Sequence, residues 1–280
     1  MVIIYTLFIC PERKENIKRD MMEWAVIGVT NIQWLTCALD IGERMVICGA
    51  EIWRVEDSIR RICAAGGAER VDVFSITSSI IATVWMPGED PLTQSRRILK
   101  KTTDLHQLDM LNDLSRRVCA EKPEWDSVKA ELKAIDGEKR YPLWTEYAVF
   151  ALVSATFSYL FGGHWQDCAA AGVIGLALRW LDLRMQKTGL NALVGNLLCS
   201  ACCGVLAIFA VRLHLALSVD KIMIGNIMPL IPGVALTNAL RDLFAGDLVS
   251  GLLRLIDALL LAASIALGFA LAWAALGGLV

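Results

Sequence analysis

The run Asn226-Ile-Met-Pro-Leu-Ile-Pro-Gly-Val-Ala-Leu-Thr-Asn-Ala-Leu-Arg-Asp242 is apolar enough to enter a bilayer, yet two prolines, a glycine, two asparagines and a threonine interrupt it. A proline has no N–H to give to the carbonyl four residues back, so Pro229 frees the carbonyl of Gly225 and Pro232 that of Met228. Freed backbone groups are tolerated at membrane depth where protein buries them or where they line a wet cavity, and transporters bind solutes near the midplane at such breaks. Past Pro232-Gly233 a new half-helix begins, and its exposed N–H groups are a positive dipole end suited to a carboxylate. The freed carbonyls upstream suit an ammonium or a cation. An amino acid carries both groups, and an organic acid or a coupling proton fits as well. A kink used only for helix packing is the competing explanation.

Asn196, Asn226, Pro229, Pro232, Gly233, Thr237, Asn238, Arg241 and Asp242 are therefore the candidate substrate path. Ionisable groups within apolar spans are costly and merit a functional hypothesis. Asp257, with Arg254 three residues earlier on the same face, and Asp167, beside His164, are the ion-coupling candidates. A helix-end salt bridge reaching the interface is the competing explanation for the first pair, and Asp167 is either an outer-mouth group or a cap. Arg179 and Asp182 read as interfacial.

The elements that carry these residues follow from hydropathy. The chain has 280 residues, of which 56% are hydrophobic, and its mean hydropathy is +0.52. Charge concentrates in residues 11 to 141, while residues 143 to 280 form apolar runs, so a soluble domain precedes a membrane domain. A net charge of −2 gives no nucleic-acid footprint. The nine cysteines (10, 37, 48, 63, 119, 168, 199, 202 and 203) form no pair of CxxC motifs, which excludes the common zinc patterns, and neither metal nor cofactor is expected.

Residues 1–29 are an uncertain N-terminal extension that begins with a short apolar stretch. The cytoplasmic domain spans 30–140. One amphipathic helix ends near Gly49, striped by Ile32, Leu35, Leu39, Met45 and Val46, and a second runs from Glu51 to Ala65, closed by Gly66-Gly67. The period then changes to two over Arg70–Ile76 and Ser79–Trp85, with a third strand expected at Ser95 to Lys101. Helices follow at about Asp104 to Cys119 and Trp125 to Ile135. This is an α+β domain, a small antiparallel sheet covered by helices. It shows no phosphate loop and no Ser/His/Asp or Cys/His set, so an enzyme is not expected.

Five transmembrane helices fill the membrane domain, 141–280, at 143–161, 167–183, 190–211, 219–240 and 249–273, each near the length a bilayer requires. No Lys or Arg occurs from Tyr141 through Leu178, whereas Arg184, Lys187 and Arg241 mark loops two and four. Despite Arg212 and Lys221 in loop three, the balance puts the soluble domain in the cytoplasm and the C-terminus outside. Small residues four apart, among them Gly195, Cys199 and Cys203, supply close packing faces.

GAEIWRVEDSIRRIC (49–63), GAERVDVFSITSSIIATV (67–84), GGHWQDCAAAGVIGLALRWLD (162–182) and NIMPLIPGVALTNALRDLFAGDLVSGLLRLIDALLLAASIALG (226–268) resemble, in this order, the threonine/serine exporter family. The resemblance covers about residues 30 to 275. Because the chain stops after its fifth span, it looks like the larger component of the family's split form. That implies a small hydrophobic partner subunit in the same inner membrane, hence a hetero-oligomer, and secondary export of threonine, serine or dicarboxylates such as succinate without nucleotide. It implies no assignment of substrate-site residues. The alternative is a membrane-anchored sensor or scaffold whose cytoplasmic domain binds a ligand.

Overall fold

A computed structural model describes residues 31–100, 102–138 and 141–279. The expected N-terminal extension, 1–29, lies outside the described residues. The described residues divide into two compact units: those up to 138 together with 241–250, and those from 141 to 240 together with 251–279.

In the first unit, helix α1 covers residues 31–47. Leu35, Ala38, Leu39, Ile41 and Met45 are its buried face, whereas Ile32, expected on that stripe, is 46% exposed. Gly49 takes φ +95° to turn the chain. Helix α2 (Ile52–Ala65) buries Ile52, Val55, Ile59, Ile62 and Cys63, the three-and-four spacing that puts side chains on one helix face. It ends where Gly66 donates to the Ile62 carbonyl. A methyl on Gly66 would lie 2.6 Å from the Trp34 ring, so a bare backbone is needed for that indole to pack.

Strands β1 (Arg70–Ile76), β2 (Ser79–Trp85) and β3 (Leu92–Arg97) form an antiparallel sheet in that order. The register runs from Arg70 opposite Trp85 to Ile76 opposite Ser79. Ile80, Ala82 and Val84 face the core. The third strand lies earlier than the expected Ser95–Lys101. Pro91 cannot continue a ladder, so β3 starts directly after it, and pairing with β2 sets Thr93 opposite Thr83, their hydroxyls 2.9 Å apart. As an edge strand it alternates half-buried and exposed residues, which makes its sequence polar. Lys101, the last residue of the expected strand, lies outside the described residues.

Helix α3 (Leu105–Glu121) is capped by Asp104, whose side chain accepts from the Gln107 N–H, and closed by Lys122 in the left-handed region. Helix α4 (Trp125–Gly137) packs on α3. Leu111, Leu114, Leu132 and Ile135 join α1 and α2 in one core. Burial pushes the Cys37 and Cys63 thiols up to about 12, so these are inert packing residues.

The second unit is helical: α5 (Leu143–Leu160), α6 (Trp165–Lys187), α7 (Ala192–Arg212), α8 (Val219–Ile227), α9 (Gly233–Phe244) and α10 (Leu248–Leu276), then a 3₁₀ turn at Gly277–Leu279. The last turn of α9 and the first of α10 belong to the first unit. Helix α6 is longer than expected. A capping box of His164 and Asp167 starts it, and Arg184 and Lys187 sit in its last turn, where cations suit the negative dipole end. Helix α8 packs on α5, α6 and α7.

Of the five spans expected, two are helices long and apolar enough to cross a membrane by length and composition: α7 and α10. Helices α5 and α6 carry Glu146, Asp167, Arg179 and Asp182. The fourth segment, expected over 219–240, is divided into pieces of 9 and 12 residues.

Candidate functional site

The division between α8 and α9 falls where the prolines stand. The Leu230 and Ile231 N–H groups both donate to the Ile227 carbonyl, at 2.9 and 3.1 Å, closing α8 in a tight turn. Gly233 donates to Ile231 at 2.8 Å, and Leu236 to Pro232 at 3.0 Å, which opens α9. Pro229 and Pro232 contribute no donors across this turn. Pro229 and Pro232 are half-buried, and Gly233 and Thr237 exposed. The Thr237 hydroxyl donates to the Gly233 carbonyl at 2.9 Å, and Asn238 is 9% exposed.

On the α8 side the backbone approaches α5 very closely. A methyl on Gly225 would collide with the carbonyl oxygen of Ser154 and lie 3.0 Å from Ser158 Cβ. Gly175 of α6 faces the Ser154 hydroxyl in the same way, at 2.7 Å from the place of its missing Cβ. Ser154, Ser158 and Asn226 are fully buried. The Asn226 Nδ2 donates back to the Ile222 carbonyl at 3.0 Å. Its Oδ1, Ser154 Oγ and Ser158 Oγ have no partner among the described residues. Each buried polar atom left so costs about 1–3 kcal/mol, which is an expensive arrangement for packing alone. Oxygens of this kind can accept from an ammonium or hydroxyl, or ligate a cation.

Asp167 holds three backbone N–H groups. It is fully buried. Its Oδ1 accepts from the Leu217 and Ser218 N–H groups at 2.7 and 3.0 Å, and its Oδ2 from the His164 N–H at 2.9 Å. It thus caps α6 and ties the chain entering α8 to it. Asn196 is half-buried, and its carbonyl accepts from the Ser200 hydroxyl at 2.8 Å. Arg254 is half-buried and Asp257 exposed on α10. Arg241 and Asp242 lie in the first unit, where Arg241 meets Glu51 and Asp242 accepts from the Ile52 N–H. The break therefore collects Asn226, Pro229, Pro232 and Gly233, with Thr237 and Asn238 on the first turns of α9.

Sequence reasoning passed over Ser154 and Ser158. Their spacing of four, the small-xxx-small signal, was the available clue. It also passed over Glu146 as the partner of Arg179. Arg179 holds Glu146 of α5 and Asp182 of its own helix, and its guanidinium lies 5.0 Å over the Phe150 ring. The three charges share one another's desolvation. Among the described residues, no three His, Cys, Asp or Glu side chains gather to hold a metal.

Residues 36–276 match the family described as putative threonine/serine exporter. The chain is 24% identical over 201 residues to a probable threonine/serine exporter of Mycobacterium tuberculosis, which covers 71% of this chain and 37% of that protein. It spans little more than a third of that relative's length. It is also 24% identical over 229 residues, 80% of this chain and 86% of the relative, to the probable succinate transporter subunit YjjP of Klebsiella aerogenes. Both are named for transport, which is not an enzyme activity. No solved structure matches.

Proposed function

Because the chain belongs to the family of putative threonine/serine exporters, we propose that it is a subunit of an inner-membrane secondary exporter for small carboxylate metabolites: threonine, serine, or a dicarboxylate such as succinate. The observation that carries this reading is the divided helix α8–α9 with the buried oxygens of Ser154, Ser158 and Asn226 beside it. The free N–H end of α9 takes the solute's carboxylate, and the buried oxygens take its ammonium or hydroxyl, or a coupling cation. Five spans cross the bilayer, α8 and α9 together making the fourth. Exposed apolar side chains such as Leu152, Val173, Leu198, Phe209, Leu259 and Leu267 suit a lipid surface. The 30–140 domain faces the cytoplasm and the C-terminus lies outside. A second, small membrane subunit completes the path, a reading favoured by a relative that is itself named a subunit.

The test is co-reconstitution with that partner into liposomes and measurement of serine, threonine and succinate flux. Flux of at least one solute, reduced by Asn226→Ala, is the expected result. A well-folded complex that moves none of the three refutes the reading. A sensor function is the second reading, favoured by a cavity of about 270 Å³ in the first unit, lined by Trp34, Cys37, Val118, Lys122, Glu124 and Trp125. Serine, threonine or succinate quenching the indole fluorescence of a chain that transports nothing would favour it.

A further inference from the structure

The chain between α9 and α10 is built into the first unit by contacts that no local spacing announces. Helix α2 lacks a side-chain cap of its own, because Glu51 at its N-cap makes no such bond. Asp242, fully buried and 190 residues away, supplies it: Oδ1 accepts from the Ile52 N–H at 3.1 Å. A carboxylate at that end also meets the positive pole of the helix. Glu51 instead turns to Arg241, whose Nη1 lies 2.6 Å from its Oε1, with Arg54 Nε at 3.7 Å. Six residues after the end of α9 the chain is fastened again, Ser250 Oγ donating to the Ser75 carbonyl at 3.4 Å. Between these points the Asp247 N–H returns to the Asp242 carbonyl at 2.9 Å and Gly246 takes φ +95°. The segment is a tight corner and not a slack loop.

We propose that Glu51, Arg241 and Asp242 are positioning residues that clamp the far end of α9, so that this half-helix moves only when the first unit releases or follows it. The 12-residue α9 has a proline-broken turn at one end and this clamp at the other. A rigid rod hinged at one end cannot tilt while its other end is held. Two charged pairings and one capping bond give the clamp two discrete conditions, made or broken, which is what a coupling element requires. The clamp gives the first unit a role in gating, a role that rests on the transport reading, whereas the mechanical coupling of α9 to α2 does not.

The experiment is amide hydrogen exchange on the full chain in lipid nanodiscs without added solute, read at Ile52 and at Leu236–Leu240. Asp242→Ala removes the cap and is expected to speed exchange at Ile52 and over Leu236–Leu240 by about tenfold, the scale of a lost N-cap, with α3 and α7 unchanged. Asp242→Asn, which keeps the accepting oxygen, restores most of the protection. Arg241→Ala produces a smaller rise at both places, and pairing it as Glu51→Arg with Arg241→Glu brings protection back. Should Asp242→Ala fail to fold, Arg241→Ala and its charge-swapped rescue decide. Faster exchange at Ile52 with α9 at its original rate overturns the proposal, as does a uniform rise across the chain or a charge swap that rescues nothing. Failure of the flux assay refutes the transport reading and leaves this measurement intact.

Discussion

Gly225→Ala is the substitution that separates close helix packing from solute handling. The added methyl would strike the Ser154 carbonyl oxygen and sit 3.0 Å from Ser158 Cβ and 3.1 Å from Ser158 N. Two of those atoms are backbone, which cannot swing aside, so α8 must move off α5. Overpacking of this kind costs about 1–3 kcal/mol, against which alanine's better helix propensity returns roughly 1 kcal/mol at most. A clash with two backbone atoms belongs in the upper part of the overpacking range, about 2–3 kcal/mol, so the net loss is about 1–2 kcal/mol, which lowers the melting temperature by about 2–8 °C in a chain of this size. Gly233→Ala is the control on the other side of the break. Nothing lies within 4 Å of its missing Cβ and its φ is not in the left-handed region, so stability is unchanged or rises by up to about 1 kcal/mol. Thermal unfolding of the detergent-solubilised full chain reads both. If Gly225→Ala melts at or above the parent temperature, the close approach of α8 to α5 is wrong. Flux then divides the two roles. Gly233→Ala is expected to raise the KM for the transported solute at unchanged stability, because the methyl stands at the mouth of the α9 N–H end.

Ser154→Ala and Ser158→Ala remove hydroxyls that have no partner among the described residues, so each is expected to leave stability equal or higher by up to about 1–3 kcal/mol of relieved desolvation, read by thermal unfolding, while liposome flux falls. Arg179→Ala strands Glu146 and Asp182 in a half-buried site and is expected to cost about 3 kcal/mol or more by thermal unfolding, with Arg179→Ala/Glu146→Ala recovering part of it. Burial raises the Glu56 carboxyl above its ordinary 4.5. Its protonated form is thus favoured in the folded chain, and the stability this brings is complete below the unfolded value and lost as pH climbs through the raised one. Melting temperature against pH is expected to fall less steeply over that window in Glu56→Gln. Cys37 and Cys63, with thiols near 12, are expected to resist maleimide at pH 7 until denaturant is added, as followed by mass spectrometry.

What the sequence determined by itself is whatever local covalent chemistry dictates. Prolines 229 and 232 lack the N–H that a continuous helix needs, so the break in the fourth segment was readable before any neighbour was known, and α8 and α9 separate there. The alternation of Arg70–Ile76 and Ser79–Trp85 gave both strands to the residue, because one face had to be buried. The third strand was misplaced because an edge strand buries too little to write a clear pattern. Tertiary structure decided the rest. Bare glycine backbone at Gly225 lets α8 touch α5 at Ser154 and Ser158, next to the buried Asn226, and no local spacing announces that approach. Asp167 caps a turn fifty residues onward, an acceptor's role that composition cannot distinguish from ion coupling. Arg241 and Asp242 read as part of the path from their neighbours in sequence, yet their partners stand 190 residues back. Helical spacing reports which residues share a face, and a carboxylate's role depends on which distant N–H groups the fold delivers to it.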